Sequence, residues 1–182
     1  ATVNAANNIS VLLGTGIGTF GVPTNYGTGG TSPLQFTIGD FNNDGRLDIA
    51  VTNTSGTWFL SIFLNTGGGT FAAPVNYAVG VSPWGIAAGD IDADGDMDIV
   101  VTGHFANNLK IFKNNGSGTF SLSATLATGT TPKSCALGDF DGDGDLDIAV
   151  GNNGATNVSI HLNSGTGTFS GAVNYTVGTA PS

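Results

Sequence analysis

Glutamate is missing from this 182-residue chain, and lysine plus arginine together amount to four. Glycosidases need a pair of carboxyl groups free to act as acid and base or nucleophile. Here all thirteen acidic residues are aspartates confined to three short windows, which leaves no pair for that work. The four basic residues, Arg46, Lys110, Lys113 and Lys133, offer no electrostatic footprint for nucleic acid and no polybasic patch for anionic lipid. One cysteine, Cys135, cannot close an intrachain disulfide, and its small or apolar neighbours read as a buried hydrophobe. No apolar run approaches the length of a membrane span, so no membrane insertion is expected, and the N-terminus has no charged-then-apolar leader pattern. Nucleophile-elbow and phosphate-cradle motifs are absent too. His104 and His161 fall at unrelated places and read as ordinary strand or surface histidines. No enzyme is expected.

What the chain does have is concentrated acid. The windows run Asp40–Asp48, Asp90–Asp98 and Asp139–Asp147, about fifty residues apart, with carboxylates or amides at positions 1, 3, 5 and 9 and glycine at position 6. Such crowding repels itself unless a cation sits within it. Calcium takes six to eight oxygens at roughly 2.3–2.6 Å, and short Asp and Asn side chains deliver them from a tightly curled backbone. Glycine at position 6 allows the positive φ that turns the chain around the ion. The expected ligands are Asp40, Asn42, Asp44, Arg46 and Asp48; Asp90, Asp92, Asp94, Asp96 and Asp98; and Asp139, Asp141, Asp143, Asp145 and Asp147. Position 7 contributes its backbone carbonyl, which is why Arg46 is admissible there. The nine-residue span and terminal Asp differ from an EF-hand, whose twelve-residue loop closes on Glu between helices. Beta-branched runs such as Ile99-Val-Val-Thr102 follow instead, so the flanks are strands. Magnesium prefers to keep several waters, and no Cys or His near the loops supports zinc or copper. About three calcium ions per chain are expected, bringing a formal charge of −9 to −3. Their main expected role is to staple each repeat, since Asp- and Gly-rich turns alone say nothing about a ligand.

Aligning the chain on itself gives units at 31–80, 81–130 and 131–180, while 1–30 matches only the last strands of a unit and lacks an aspartate loop. Residues 180–182 fall where a further first strand would begin. Each unit reads as four short strands, and four strands per repeat of roughly 40–50 residues is the pattern of a β-propeller blade. The segments Gly39-Asp-Phe-Asn-Asn-Asp-Gly-Arg-Leu-Asp-Ile-Ala-Val51, Gly89–Val101 and Gly138–Val150 resemble FG-GAP (VCBS) repeats, the blades of integrin α-subunit propellers and of secreted microbial proteins. The resemblance implies calcium in the loop between the first two strands of each blade. The expectation is therefore an all-β propeller of four-stranded antiparallel blades, three whole and most of a fourth per chain. Exposed strand edges add an expected homodimer that closes a ring of about seven or eight blades.

Positions that differ between units are where a ligand site is to be sought. Trp84 aligns with Leu34 and Lys133, while Trp58 and Phe59 are expected in an otherwise polar loop of the first whole unit. Tryptophan suits stacking on a sugar, and it suits packing between repeats equally. The phenylalanines of the four Gly-Thr-Phe turns, Phe20, Phe71, Phe120 and Phe169, are expected in the core. Together these readings give an extracellular, calcium-binding, non-enzymatic recognition module for a glycan or protein ligand. The alternative is a structural part of a larger secreted protein whose activity lies elsewhere.

Overall fold

The computed structural model describes residues 1–56, 58–80, 82–178 and 181. Its strands form four antiparallel meanders in chain order. The first sheet has three strands, β1 (Thr2–Asn4), β2 (Asn8–Val11) and β3 (Thr24–Gly27). The second has β4 (Thr31–Gly39), β5 (Asp48–Ser55), β6 (Phe59–Phe63) and β9 (Val75–Ala78), with a small hairpin of β7 (Asn65–Gly67) and β8 (Thr70–Phe71) beside it. The third has β10 (Pro83–Gly89), β11 (Asp98–Gly103), β12 (Asn108–Asn114) and β13 (Phe120–Ala127). The fourth has β14 (Pro132–Gly138), β15 (Asp147–Asn152), β16 (Asn157–His161) and β17 (Val173–Thr176).

The second strands are apolar without alternation because both of their faces are covered. In β5, Ile49 and Val51 pack on Ile9 and Val11 of the first sheet, while Ala50 joins Ile99 and Val101 of the third. In β11 the other face, through Val100, meets Ile148 and Val150 of the fourth sheet. Three cores thus lie between four stacked sheets, and each fully buried Ile or Leu contributes roughly 1.5–3 kcal/mol by leaving water. Close approach of neighbouring first strands depends on Gly85, where a Cβ would lie 2.6 Å from the Lys133 carbonyl oxygen.

The stack does not close into a propeller, contrary to the expectation from the repeat pattern. The repeats are FG-GAP-type tandem sheets, but they form an open row of one three-stranded and three four-stranded sheets rather than the blades of a ring. The physical reason is number: three junctions carry each sheet onto the next, and four sheets do not bring the last back to the first. Residues 180–182, where a further first strand would begin, lie outside the described residues apart from Pro181. No helix among the described residues is long and apolar enough to cross a membrane.

One of the four turn phenylalanines is not in the core. Phe120 is buried, and Phe71 and Phe169 pack against their clusters, but Phe20 is 71% exposed. Each of the other three lies against the sheet before its own. Among the described residues, no sheet precedes the first.

Candidate metal centres and an aromatic edge

The aspartate loops join first to second strands and share one hydrogen-bond plan. The position-1 carboxylate accepts from backbone amides across the curl: Asp40 from Asp44 and Gly45, Asp90 from Asp94 and Gly95, and Asp139 from Gly142 and Gly144. Position 5 accepts from the amide of position 7 at 2.9 Å in all three loops. That bond fixes the amide of position 7 and leaves its carbonyl free of it. Two residues per loop, not one, adopt positive φ. Gly45, Gly95 and Gly144 do so as expected, and Asn43, Ala93 and Gly142 at position 4 do so as well.

In loops two and three, Asp90, Asp92 and Asp98, and Asp139, Asp141 and Asp147, each bring one carboxylate oxygen to within 4.8 Å of the others. Positions 1, 3 and 9 therefore converge, and these two clusters could hold a metal ion. Asp94 and Asp143 at position 5 lie outside the groups. In loop one Asn42 stands at position 3, and its Oδ1 is buried with no hydrogen-bond partner; Asp92 Oδ1 of loop two is in the same state. A buried oxygen left unpaired is costly, and a hard cation is what such an atom fits.

Position 9 has a second task. Asp48, Asp98 and Asp147 are buried and accept two backbone amides each, one from position 2 of the loop and one from the asparagine at or just past the end of the third strand, Asn65, Asn114 or Asn163. Burial pushes the Asp98 carboxyl up to about 6 against the pull of the Asn114 amide, with Asp92 and Asp94 adding repulsion. Asp48 is raised for the same primary reason. Cations of the chain already lean on two loops. The Arg46 guanidinium pairs with Asp44, and Lys113 Nζ lies 2.7 Å from Asp92 Oδ2.

The opposite edge of the sheets, where second strands end and third strands begin, carries aromatics. Trp84 lies 4.3 Å from the ring of His104, which lies 4.6 Å from that of Phe105. Lys133 Nζ stands 5.3 Å over the indole. Phe105 is 68% exposed, and Trp58, in the corresponding loop of the preceding sheet, is partly exposed. Phe59 opens β6 instead of lying in the loop. His104 is buried, with Nδ1 3.2 Å from the Pro132 carbonyl oxygen.

Models of the FG-GAP-like repeat match residues 1–51, 40–101, 94–150 and 139–182. The chain belongs to the FG-GAP-like repeat family. Its fold is similar to that of a solved Agrocybe aegerita lectin, described as recognising non-reducing terminal N-acetylglucosamine, at a TM-score of 0.65 and 21% identity. The likeness covers 93% of this chain and 46% of the lectin, so the chain spans less than half of that protein. Among curated proteins none matches the sequence. No catalytic constellation is assembled among the described residues of these FG-GAP repeats.

Residues that the aspartate pattern did not single out complete the loops. Asn114 Nδ2 donates to the carbonyls of Phe41 and Met97, and Asn163 Nδ2 to those of Ile91 and Leu146, so each asparagine ties its own loop to the loop of the preceding sheet. The signal was present as an Asn at or just past the end of every third strand. Asn65, in the second sheet, reaches only Leu47 of its own loop, because the first sheet has no aspartate loop. Burial pushes the Cys135 thiol up to about 12, and its Sγ lies 3.8 Å from the Val100 carbonyl oxygen, which suits an inert packing role.

Proposed function

We propose that the chain is a calcium-stapled, non-enzymatic recognition module that works outside the cell and binds a glycan or protein ligand through its aromatic edge. The observation that carries this reading is the Trp84–His104–Phe105 cluster beneath Lys133, partly open to solvent and built from residues that do not repeat from sheet to sheet. A partly buried indole with an adjacent cation and the exposed Phe105 ring nearby suits the face of a sugar ring and the polar groups around it. Likeness to a lectin fold supports the same class.

Calcium is the proposed ion in all three loops, about three per chain. Asp40, Asn42 and Asp48 serve loop one; Asp90, Asp92 and Asp98 loop two; and Asp139, Asp141 and Asp147 loop three. Position 5 (Asp44, Asp94, Asp143) and the carbonyls of Arg46, Asp96 and Asp145 complete each shell. The unpaired buried Oδ1 atoms of Asn42 and Asp92 support this choice. Millimolar extracellular calcium keeps even weak sites of this kind filled. The ions hold the loops at one edge, and the ligand meets the other. Self-association is part of the proposal, with two copies favoured.

The test is a glycan array probed with the chain in calcium and in chelator, beside Trp84→Ala. Selective binding lost in the variant, with its melting temperature retained, supports the reading. Silence on the array, together with no captured protein ligand, favours a structural segment of a larger secreted protein.

A further inference from the structure

Two of the three internal junctions share one contact, while the third has Leu126 in the tyrosine place and Lys113 under Gly167. At the first, Tyr26 of β3 meets Phe71 of the following sheet edge-on, with centroids 5.5 Å apart, and Leu13 lies under Gly69. At the second, Tyr77 of β9 meets Phe120 at 5.8 Å, its hydroxyl accepts from the Phe120 amide at 3.2 Å, and Leu64 lies under Gly118. The giving face is apolar, with Leu60 and Ile62 or Leu109 and Ile111 sealed. The receiving face carries a cross-strand Ser–Asn pair, Ser61 opposite Asn76, and Ser61 Oγ donates to the Thr28 carbonyl of the preceding sheet.

Both halves of this contact recur unused at the two ends of the row. On the outward face of the fourth sheet, Tyr175 stands opposite Val158 as Tyr77 stands opposite Leu60, and it is 57% exposed. Val173 is exposed beside it, and an open hollow of about 370 Å³ is lined by Ala136, Ala149, Gly151 and Val158 of the sheet and by Pro181. On the outward face of the first sheet, Ser10 stands opposite Asn25, and Phe20 pairs with Gly14 as Phe71 pairs with Asn65. Gly18, the counterpart of Gly69 and Gly118, has open space where their Cβ positions meet leucine. Charge favours the match as well. The fourth sheet bears the loop with five aspartates, whereas residues 1–30 contain no charged side chain to repel it.

Resting on the self-association in the reading above, we infer that the first sheet of one copy receives the fourth sheet of a second copy, with Phe20 of the first edge-on against Tyr175 of the second. The contact is heterologous: each copy presents one half of it at each end. Burying two aromatics and the strip between them against a matched face supplies the kind of anchor that dominates interfaces.

The experiment is sedimentation velocity of the 182-residue chain in calcium over a concentration series, with Phe20→Glu, Tyr175→Glu and an equimolar mixture of the two. The inference predicts mass rising with concentration for the parent chain. Each variant alone weakens association at least about ten-fold. The mixture recovers a species of two copies and no more, since one intact contact remains between the two variants. Circular dichroism and melting establish that the variants fold. A parent chain that stays monomeric overturns the inference and leaves the face to a flanking segment of a longer chain. Association unaffected by either substitution also overturns it. Glycan binding through Trp84 is read separately, so failure of one proposal does not mimic failure of the other.

Discussion

The side-chain amide of Asn114 donates to the carbonyl of Phe41 at 2.8 Å, joining the last residue of the third strand of one sheet to the aspartate loop of the sheet before it. The same Nδ2 reaches Met97 O, and the Asn114 backbone amide donates to Asp98 Oδ1. One residue therefore holds position 2 of loop one and positions 8 and 9 of loop two. Asn114→Ala leaves two carbonyls without this partner, and the expected loss is about 2–4 kcal/mol of stability. Urea denaturation measures it. Asn65→Ala, which removes bonds to Leu47 of its own loop and from the nearby Gly67 amide but none to another sheet, is expected to cost less.

Position 4 of loop two holds Ala93 at φ 60°, in the left-handed region that a Cβ disfavours. Ala93→Gly relieves that strain, and a gain of roughly 1 kcal/mol is expected in thermal or chemical unfolding. The equivalent change at Asn43 gains less, because asparagine tolerates this conformation.

Gly85 sits where β10 and β14 approach most closely. A Cβ there would lie 2.6 Å from Lys133 O and 2.9 Å from Ser134 Cα, both backbone atoms. Neither can swing aside as a flexible side chain would. Gly85→Ala is expected to destabilise the chain by about 1–3 kcal/mol, read as a fall in the denaturation midpoint.

Arg46 folds its guanidinium back onto Asp44 and donates from Nε to Asn65 O. A cation already resting on a proposed calcium ligand competes with the ion. Arg46→Ala is expected to tighten calcium binding at loop one by about five-fold, the equivalent of roughly 1 kcal/mol for a partly exposed pair. Calorimetric titration of parent and variant checks this, with loops two and three as the internal reference.

Local structure and its repetition were readable from residue types. The aspartate spacing announced curled loops, the beta-branched runs announced strands, and the glycines at position 6 announced positive φ. What was not readable is how the sheets end up relative to one another. Repeat pattern says that each sheet stacks on the next, but closure depends on how many sheets there are and how far each is turned, and neither resides in any one motif. Phe20 shows the same limit. Its turn is identical in pattern to those of Phe71 and Phe120, yet among the described residues no sheet lies against its side of the row. The asparagine ties escaped notice because a lone Asn after a strand reads as turn chemistry until its partner, seventy-three residues away for Asn114 and Phe41, is known. The buried clamp at position 9 was hidden similarly, since a carboxylate counted as a ligand gives no sign in sequence of the two amides it also holds.

The central claim is that the aspartate loops are calcium sites that staple the repeats. Calorimetric titration of chelator-stripped chain with calcium, paired with melting curves in calcium and in chelator, tests it most directly. The account predicts about three ions bound per chain, a melting temperature that rises with calcium concentration, and loss of one ion's binding in Asp98→Asn. Absence of calcium heat, with the same melting temperature in chelator and in calcium, would contradict it.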